Sequence, residues 1–333
     1  MKAIIPLAGA GTRLRPHTYT QPKALIPLAG KTILSFIIDH LKEAGITDYI
    51  FIIGYLGEKI ESYVKAHYPD INSSFVMQND RNGVGHAIMV TEKLVNSDEA
   101  IIVLGDTIAD YDIAAMKRLP HSCVGVKKVD DPRNFGVVEL DENGIISRMV
   151  EKPSIPKSNL ALVGVYLIRE TPVLFECLNK LGADKARKID DLSLTDALDC
   201  MIKKGVTLQS FKVQDWFDCG RKESLLDTNA MLLKSAVTES FENANLQNSV
   251  IVPPVSLGNG CVLKNSVVGP FVTIGDHTVV QNSIVKNSII GSFTNLHETV
   301  LSDSLIGSDA EIKGMSKSLN IGDNTAIDLG GGW

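Results

Sequence analysis

After residue 245 the chain keeps a beat that few folds can use. Apolar side chains stand at Val262, Val268, Ile274 and Val280, then at Ile284, Ile290 and Leu296, then at Ile306 and Ile312. Gly, Asn, Ser, Asp and Thr fill the intervals. A period of six suits neither a helix, which repeats near 3.6, nor an isolated strand, which alternates at two. It suits a triangular β-coil, in which each short face turns one apolar side chain inward and small or polar residues make the corners. Residues 241–333 are therefore expected to form a short left-handed β-helix of hexapeptide repeats, roughly four coils long.

The preceding two-thirds has a different texture. KAIIPLA (2–8), YIFIIG (49–54), SFVMQ (74–78) and AIIVLGD (100–106) read as strands, separated by helical patterns at 32–45, 57–68 and 85–95. Continuous apolar strands between amphipathic helices imply a mostly parallel sheet covered on both faces. From 121 the pattern is richer in strands (SCVGVKKV, FGVVEL, IISRMVEK, LALVGVYLI), with a hairpin turn at Asn143–Gly144. Helical patterns return at 171–181, 193–204 and 221–236. The reading is an α/β domain over 1–240 with a mixed, mostly parallel sheet, followed by the β-helix over 241–333. Ligands of such sheets sit at the carboxyl ends of the strands, and two stretches fall there: the glycines after position 8, and Asp106.

The segment PLAGAGTRLRPHTYTQPKALIPL (6–28) holds two Gly, two Arg, a Lys and no acidic residue, in a chain of net charge −6. Gly9 and Gly11 let backbone N–H groups approach a polyanion. Arg13 adds a planar charged fork, and Lys23 a compact second charge. A dinucleotide fingerprint would need a third Gly where Leu14 stands, and a phosphate loop of the Walker type would need Gly where Leu25 stands, so both fail. The mild acidity excludes a general nucleic-acid binder. No apolar run is long enough for a membrane span, and no secretion signal is expected at the start. The five cysteines, odd in number and never spaced as CxxC, fit buried reduced thiols in a cytoplasmic protein.

GAGTRLRPHT…QPKALIPLAGKTIL resembles the signature of the sugar-1-phosphate nucleotidyltransferases, G-x-G-T-R-L-x-P-x-T…x-P-K-x-L-x-P. Over 1–236 the chain is similar to the glucose-1-phosphate thymidylyltransferases and their uridylyltransferase relatives, and the resemblance implies a Rossmann-like nucleotidyltransferase domain. One departure is Ala8-Gly9, where the thymidylyltransferases usually carry Gly-Gly. The resemblance implies that Leu7, Ala8, Gly9, Gly11, Thr12, Arg13, Gln78 and Gly83 hold the nucleotide, the last two reading the base. It implies that Gly136, Glu151, Lys152, Gly164 and Tyr166 hold the sugar phosphate, Glu151 through sugar hydroxyls and Lys152 through the phosphate. It implies that Asp106 and Asp218 hold Mg²⁺. His86 is expected to pack locally at a helix start.

The implied reaction is attack of a sugar 1-phosphate oxygen on the α-phosphorus of a nucleoside triphosphate, dTTP or UTP, with glucose 1-phosphate favoured and pyrophosphate leaving. Arg13, Lys23, Asp106 and Lys152 carry the catalytic load. No nucleic acid or membrane partner is expected, and self-association is. One rival is acyl transfer by the β-helix, whose histidines are His277 and His297. Another is a non-catalytic sensor, but such proteins typically lose the Arg or an Asp, and here Arg13, Lys23, Asp106 and Asp218 are all present.

Overall fold

The computed structural model describes residues 1–80, 82–96, 98–184, 192–235, 241, 244–314 and 318–328. The chain divides into two compact units, Met1–Ala10 with Phe36–Phe217, and Gly11–Ser35 with Asp218–Trp333. Residues 11–35 thus group with the β-helix.

The first unit is built on a nine-stranded sheet. Its main path runs Ile146–Glu151, Gly136–Leu140, Leu160–Ile168, Ala100–Val103, Lys2–Pro6, Asp48–Ile53, Asn72–Met77. Ser122–Lys128 joins it beside Leu160–Ile168, and Leu208–Lys212 pairs with Ser122–Lys128. The strands from Ala100–Val103 to Asn72–Met77 are mutually parallel, with Ile4 opposite both Ile50 and Ile102. Ile4, Ile5, Ile101 and Ile102 are wholly buried, as uninterrupted apolar strands require when helices cover both faces. Gly57–His67 buries Gly57, Ile60 and Val64, the spacing of one helical face. The expected single helix over 85–95 is two, Gly83–Met89 and Glu92–Val95. The hairpin at 143–144 is present: Gly144 takes φ +77°, and Asp141 Oδ1 accepts from the N–H groups of Asn143 and Ile145. None of the five cysteines forms a disulfide, and four are buried. Burial pushes the Cys123 and Cys177 thiols up to about 12.

In the second unit, three sheets of parallel strands form the left-handed β-helix. One face is crossed at Asn245, Val262, Val279, Asn295, Glu311 and Ala326, in steps of 17, 17, 16, 16 and 15 residues. The helix therefore completes five coils rather than four, each shorter than three hexapeptides. The inward side chains are Leu263, Val268, Ile274, Val280, Val285, Ile290, Leu296, Leu301, Ile306 and Ile312, none more than 2% exposed. They follow one another by five or six residues. A strict period of six misassigns two positions for that reason: Ile284 is 48% exposed and Val262 is half-buried, while their neighbours Val285 and Leu263 point inward. Corners are set by residues in the left-handed region. Asn248, Asn265 and Asn282 have φ of 46°, 50° and 51°, a conformation Asn tolerates. Their amides form a ladder at 3.0 and 3.1 Å.

Candidate active site

In the first unit the parallel strands end at one edge. Lys2–Pro6 leads into Leu7-Ala8-Gly9, Asn72–Met77 into Gln78, and Ala100–Val103 into Gly105-Asp106. Leu7 N–H continues the sheet by donating to Ile52 O at 2.7 Å, and Gln78 N–H donates to Ile53 O at 2.8 Å. Gln78 and Asp106 follow strands that are three strand spacings apart along this edge, roughly 14 Å. Gly105 is obligatory there. A Cβ would come 2.2 Å from Leu7 Cδ2 and 2.7 Å from Pro6 O.

Gln78 is buried and its amide is pinned. Nε2 donates to Gly83 O at 3.2 Å and lies 3.1 Å from His86 Nδ1. Gly83 O can only accept, which fixes the amide orientation with Nε2 toward Gly83 and leaves Oε1 as the acceptor atom. His86 is thus a local partner of Gln78. Gly83, at φ +88°, could carry no side chain: a Cβ would meet Leu192 O at 2.5 Å.

Of the residues expected at the sugar phosphate, Gly136, Glu151 and Lys152 meet. Glu151 Oε2 accepts from Thr195 Oγ1 at 2.7 Å, and its Oε1 lies 3.5 Å from Lys152 Nζ. Glu151 stands opposite Gly136 across the hairpin. A Cβ at Gly136 would lie 2.8 Å from Thr195 Oγ1 and 3.2 Å from Glu151 Oε2, so the missing side chain makes room for that pair. Lys152 takes the left-handed conformation, φ +43°, and its side chain is exposed. Gly164 sits in the irregular register of its strand, between Leu162 and Tyr166, at φ +88° with Thr107 Oγ1 2.8 Å from a would-be Cβ. Its carbonyl accepts from Leu104 N–H at 2.9 Å, which braces the turn that carries Asp106. Tyr166 is buried, and its phenol is raised above the ordinary tyrosine value first by burial, then by the charges of Glu151 and Asp106.

Sequence reading missed Thr195. Ser193-Leu194-Thr195-Asp196 signals a helix start, but nothing in it signals the meeting with Glu151. Ser193 Oγ accepts from Thr195 N–H at 3.0 Å, opening the helix Leu194–Lys203 with Thr195 in its first turn.

The second unit holds Gly11, Thr12, Arg13, Lys23 and Asp218. Gly11, at φ +58°, packs where a Cβ would be 2.9 Å from Thr18 Cγ2 and 3.2 Å from Lys23 Cβ. Lys23 therefore returns beside the glycine turn, and Arg13 on the following turn is exposed. Asp218 ends the strand Trp216–Asp218, and a Cβ at Gly220 would lie 2.9 Å from its Oδ1. Among the described residues no three His, Cys, Asp or Glu side chains form a metal cage. Asp106 lies in the first unit and Asp218 in the second; a carboxylate is a donor type that a hydrated divalent cation accepts.

Residues 2–235 match the family described as nucleotidyl transferase. The chain belongs to that family. It is 37% identical over 261 residues to the bifunctional protein GlmU of Methanocaldococcus jannaschii, covering 76% of this chain and 60% of the relative. It is 30% identical over 342 residues to glucose-1-phosphate thymidylyltransferase of Streptomyces griseus, covering 96% of this chain and 89% of the relative. The crystal structure of UDP-glucose pyrophosphorylase complexed with UDP-glucose matches with a TM-score of 0.61 at 27% identity, covering 71% of this chain and 99% of that one. The chain spans less than two thirds of several curated relatives it matches. No helix among the described residues is long and apolar enough to cross a membrane.

Proposed function

We propose that the chain transfers a nucleotidyl group from UTP or dTTP to a sugar 1-phosphate, with glucose 1-phosphate favoured, giving a nucleoside-diphosphate sugar and pyrophosphate. The observation that carries this reading is the strand-end edge of the first unit, where the parallel strands release Leu7-Ala8-Gly9, Gln78 and Asp106, together with a second carboxylate, Glu151, held by Thr195 Oγ1 at 2.7 Å. Residues 1–240 would carry the chemistry and 241–333 the β-helix.

An oxygen of the sugar phosphate attacks the α-phosphorus in line. One P–O bond forms as the bond to the β-phosphate breaks, and pyrophosphate departs. The attacking group is already an anion, so no general base is required, and catalysis consists of positioning and charge neutralisation. Arg13 and Lys23 neutralise the departing pyrophosphate. Lys152 aligns the attacking phosphate. Glu151, anchored by Thr195, accepts from sugar hydroxyls. Asp106 and Asp218 would hold Mg²⁺, which when bound offsets charge on the phosphate oxygens. Oε1 of Gln78 accepts the ring N3–H of uracil or thymine. Cytosine presents an acceptor at that atom and is disfavoured.

Pyrophosphate release measured with Mg²⁺ across ATP, GTP, CTP, UTP and dTTP, each with several sugar 1-phosphates, tests the reading. Release with UTP or dTTP and little with CTP supports it. Silence across the grid from folded protein refutes it, and acyl-coenzyme A turnover in its place would move the activity to the β-helix.

A further inference from the structure

We infer that Asn320 and Asp323, on the last described coil of the β-helix, are positioning residues for nucleotide binding: they clamp Pro16–Thr20 and thereby set the turns that carry Arg13 and Lys23. The inference rests on the nucleotidyl-transfer reading above.

The segment from Gly11 to Leu25 has no long element of its own. It is three short turns, Thr12–Leu14, His17–Tyr19 and Lys23–Leu25. Turns of this kind hold themselves weakly, so what fixes them must come from elsewhere. Inside the segment, Thr18 Oγ1 donates to Gly11 O at 2.9 Å. Outside it, the β-helix supplies the contacts. His17 is 5% exposed, and its Nε2–H donates to Asn320 Oδ1 at 2.8 Å. Thr20 Oγ1 donates to Asp323 Oδ2. The other oxygen, Asp323 Oδ1, accepts from Ser308 N–H at 2.7 Å, which ties the clamp to the coil beneath. Between the two polar contacts, a Cβ at Gly322 would lie 3.1 Å from Pro16 Cβ. Three neighbouring positions of one coil thus face Pro16, His17 and Thr20.

A second anchor holds the far end of the segment. Ala29 N–H donates to Asn229 Oδ1 at 2.9 Å, and the same oxygen accepts from Thr273 Oγ1 at 2.6 Å. Asn229 is wholly buried. Arg13 stands three residues before the first clamp, and Lys23 lies between the two anchors. The cations assigned to the triphosphate are therefore carried on a loop fastened to the β-helix, and coil residues far along the sequence govern how well those cations are preset for the ligand. Presetting a binding group raises affinity by removing the cost of ordering it.

The test is a comparison of full-length Asn320→Ala, Asp323→Ala, Thr20→Val and Asp323→Asn with the wild type. Two quantities are read: the dissociation constant of the preferred nucleoside triphosphate alone, and steady-state constants for each substrate. Each of the first three breaks a hydrogen bond of the clamp, and Asp323→Ala also removes the acceptor of Ser308 N–H, so triphosphate affinity and kcat/KM for it should fall about five- to ten-fold. KM for the sugar 1-phosphate should stay within about two-fold of wild type. Asp323→Asn keeps an oxygen for Ser308 and a polar partner for Thr20, and should restore binding nearly to the wild-type value. Thr20→Val breaks the clamp from the loop side and leaves the coil residues untouched, so a defect confined to the coil variants would overturn the inference. Wild-type triphosphate constants in Asn320→Ala and Asp323→Ala would overturn it too, as would equal losses for both substrates. A wild-type protein that neither binds nor turns over any triphosphate would overturn the underlying reading, a result distinct from these.

Discussion

Thr195→Val isolates the contact that orients the sugar-side carboxylate. The substitution keeps the side-chain volume and removes the hydroxyl that donates to Glu151 Oε2 at 2.7 Å. Thr195 is 4% exposed, so water does not readily replace the lost donor. A hydrogen bond to a charged group is worth about 1.5–3 kcal/mol. The Glu151 side chain is 32% exposed, which favours the lower end, about 1.5 kcal/mol, or roughly ten-fold in an equilibrium. Glu151 then loses its preset direction toward the sugar hydroxyls. The expected result is a KM for the sugar 1-phosphate about ten-fold higher, with KM for the triphosphate unchanged. Thr195→Ser retains the donor and should stay within about two-fold of wild type. The assay is coupled pyrophosphate release with each substrate varied in turn. A Thr195→Val enzyme with a normal sugar-phosphate KM, or a serine variant as impaired as the valine one, would refute the reasoning.

Arg13→Ala and Asp106→Asn should each lower turnover about 10²–10³-fold, with the fold intact by circular dichroism; near-normal turnover in either would remove that residue from the machinery. Leu263→Asp should collapse the β-helix, because Leu263 is wholly buried, while Val262→Asp should shift the melting temperature little. Equal melting shifts would contradict the assignment of inward positions. His17 gives a pH test. Burial lowers its pKa below 6.5, outweighing Asn320 and Asp323, which raise it. The unfolded chain therefore binds the proton more readily, so the contribution of His17 is fully present above about pH 6.5 and is lost as pH falls through its folded pKa. Thermal melts of wild type should fall over that interval more steeply than those of His17→Gln, and parallel curves would contradict the buried, neutral imidazole.

Much of this was legible in the residues, because the physics involved is local. The strand ends at Leu7, Gln78 and Asp106 follow from apolar runs that stop at a polar or glycine residue. The hairpin at Asn143–Gly144 follows from turn chemistry. The β-helix announces itself by its repeat, yet the repeat misled at Val262 and Ile284, where two apolar residues stand side by side and a corner shortens the step to five. Periodicity alone cannot say which of a Val-Leu or Ile-Val pair turns inward. Thr195 was out of reach for another reason: it sits 44 residues from Glu151 in the chain, and only the sheet-and-helix packing brings its hydroxyl to that carboxylate. The same holds for His17 with Asn320, separated by 303 residues. Pairings at that distance are products of topology, and composition or spacing carries no trace of them.

The most direct single measurement is the stoichiometry of one reaction. Wild-type protein is incubated with Mg²⁺, glucose 1-phosphate and UTP or dTTP, and the products are followed by mass spectrometry alongside a pyrophosphate assay. One nucleoside-diphosphate sugar should form for every pyrophosphate, with both lost together in Asp106→Asn. Release of inorganic phosphate and nucleoside diphosphate without a sugar nucleotide, or no conversion by folded protein with any sugar 1-phosphate, would contradict it.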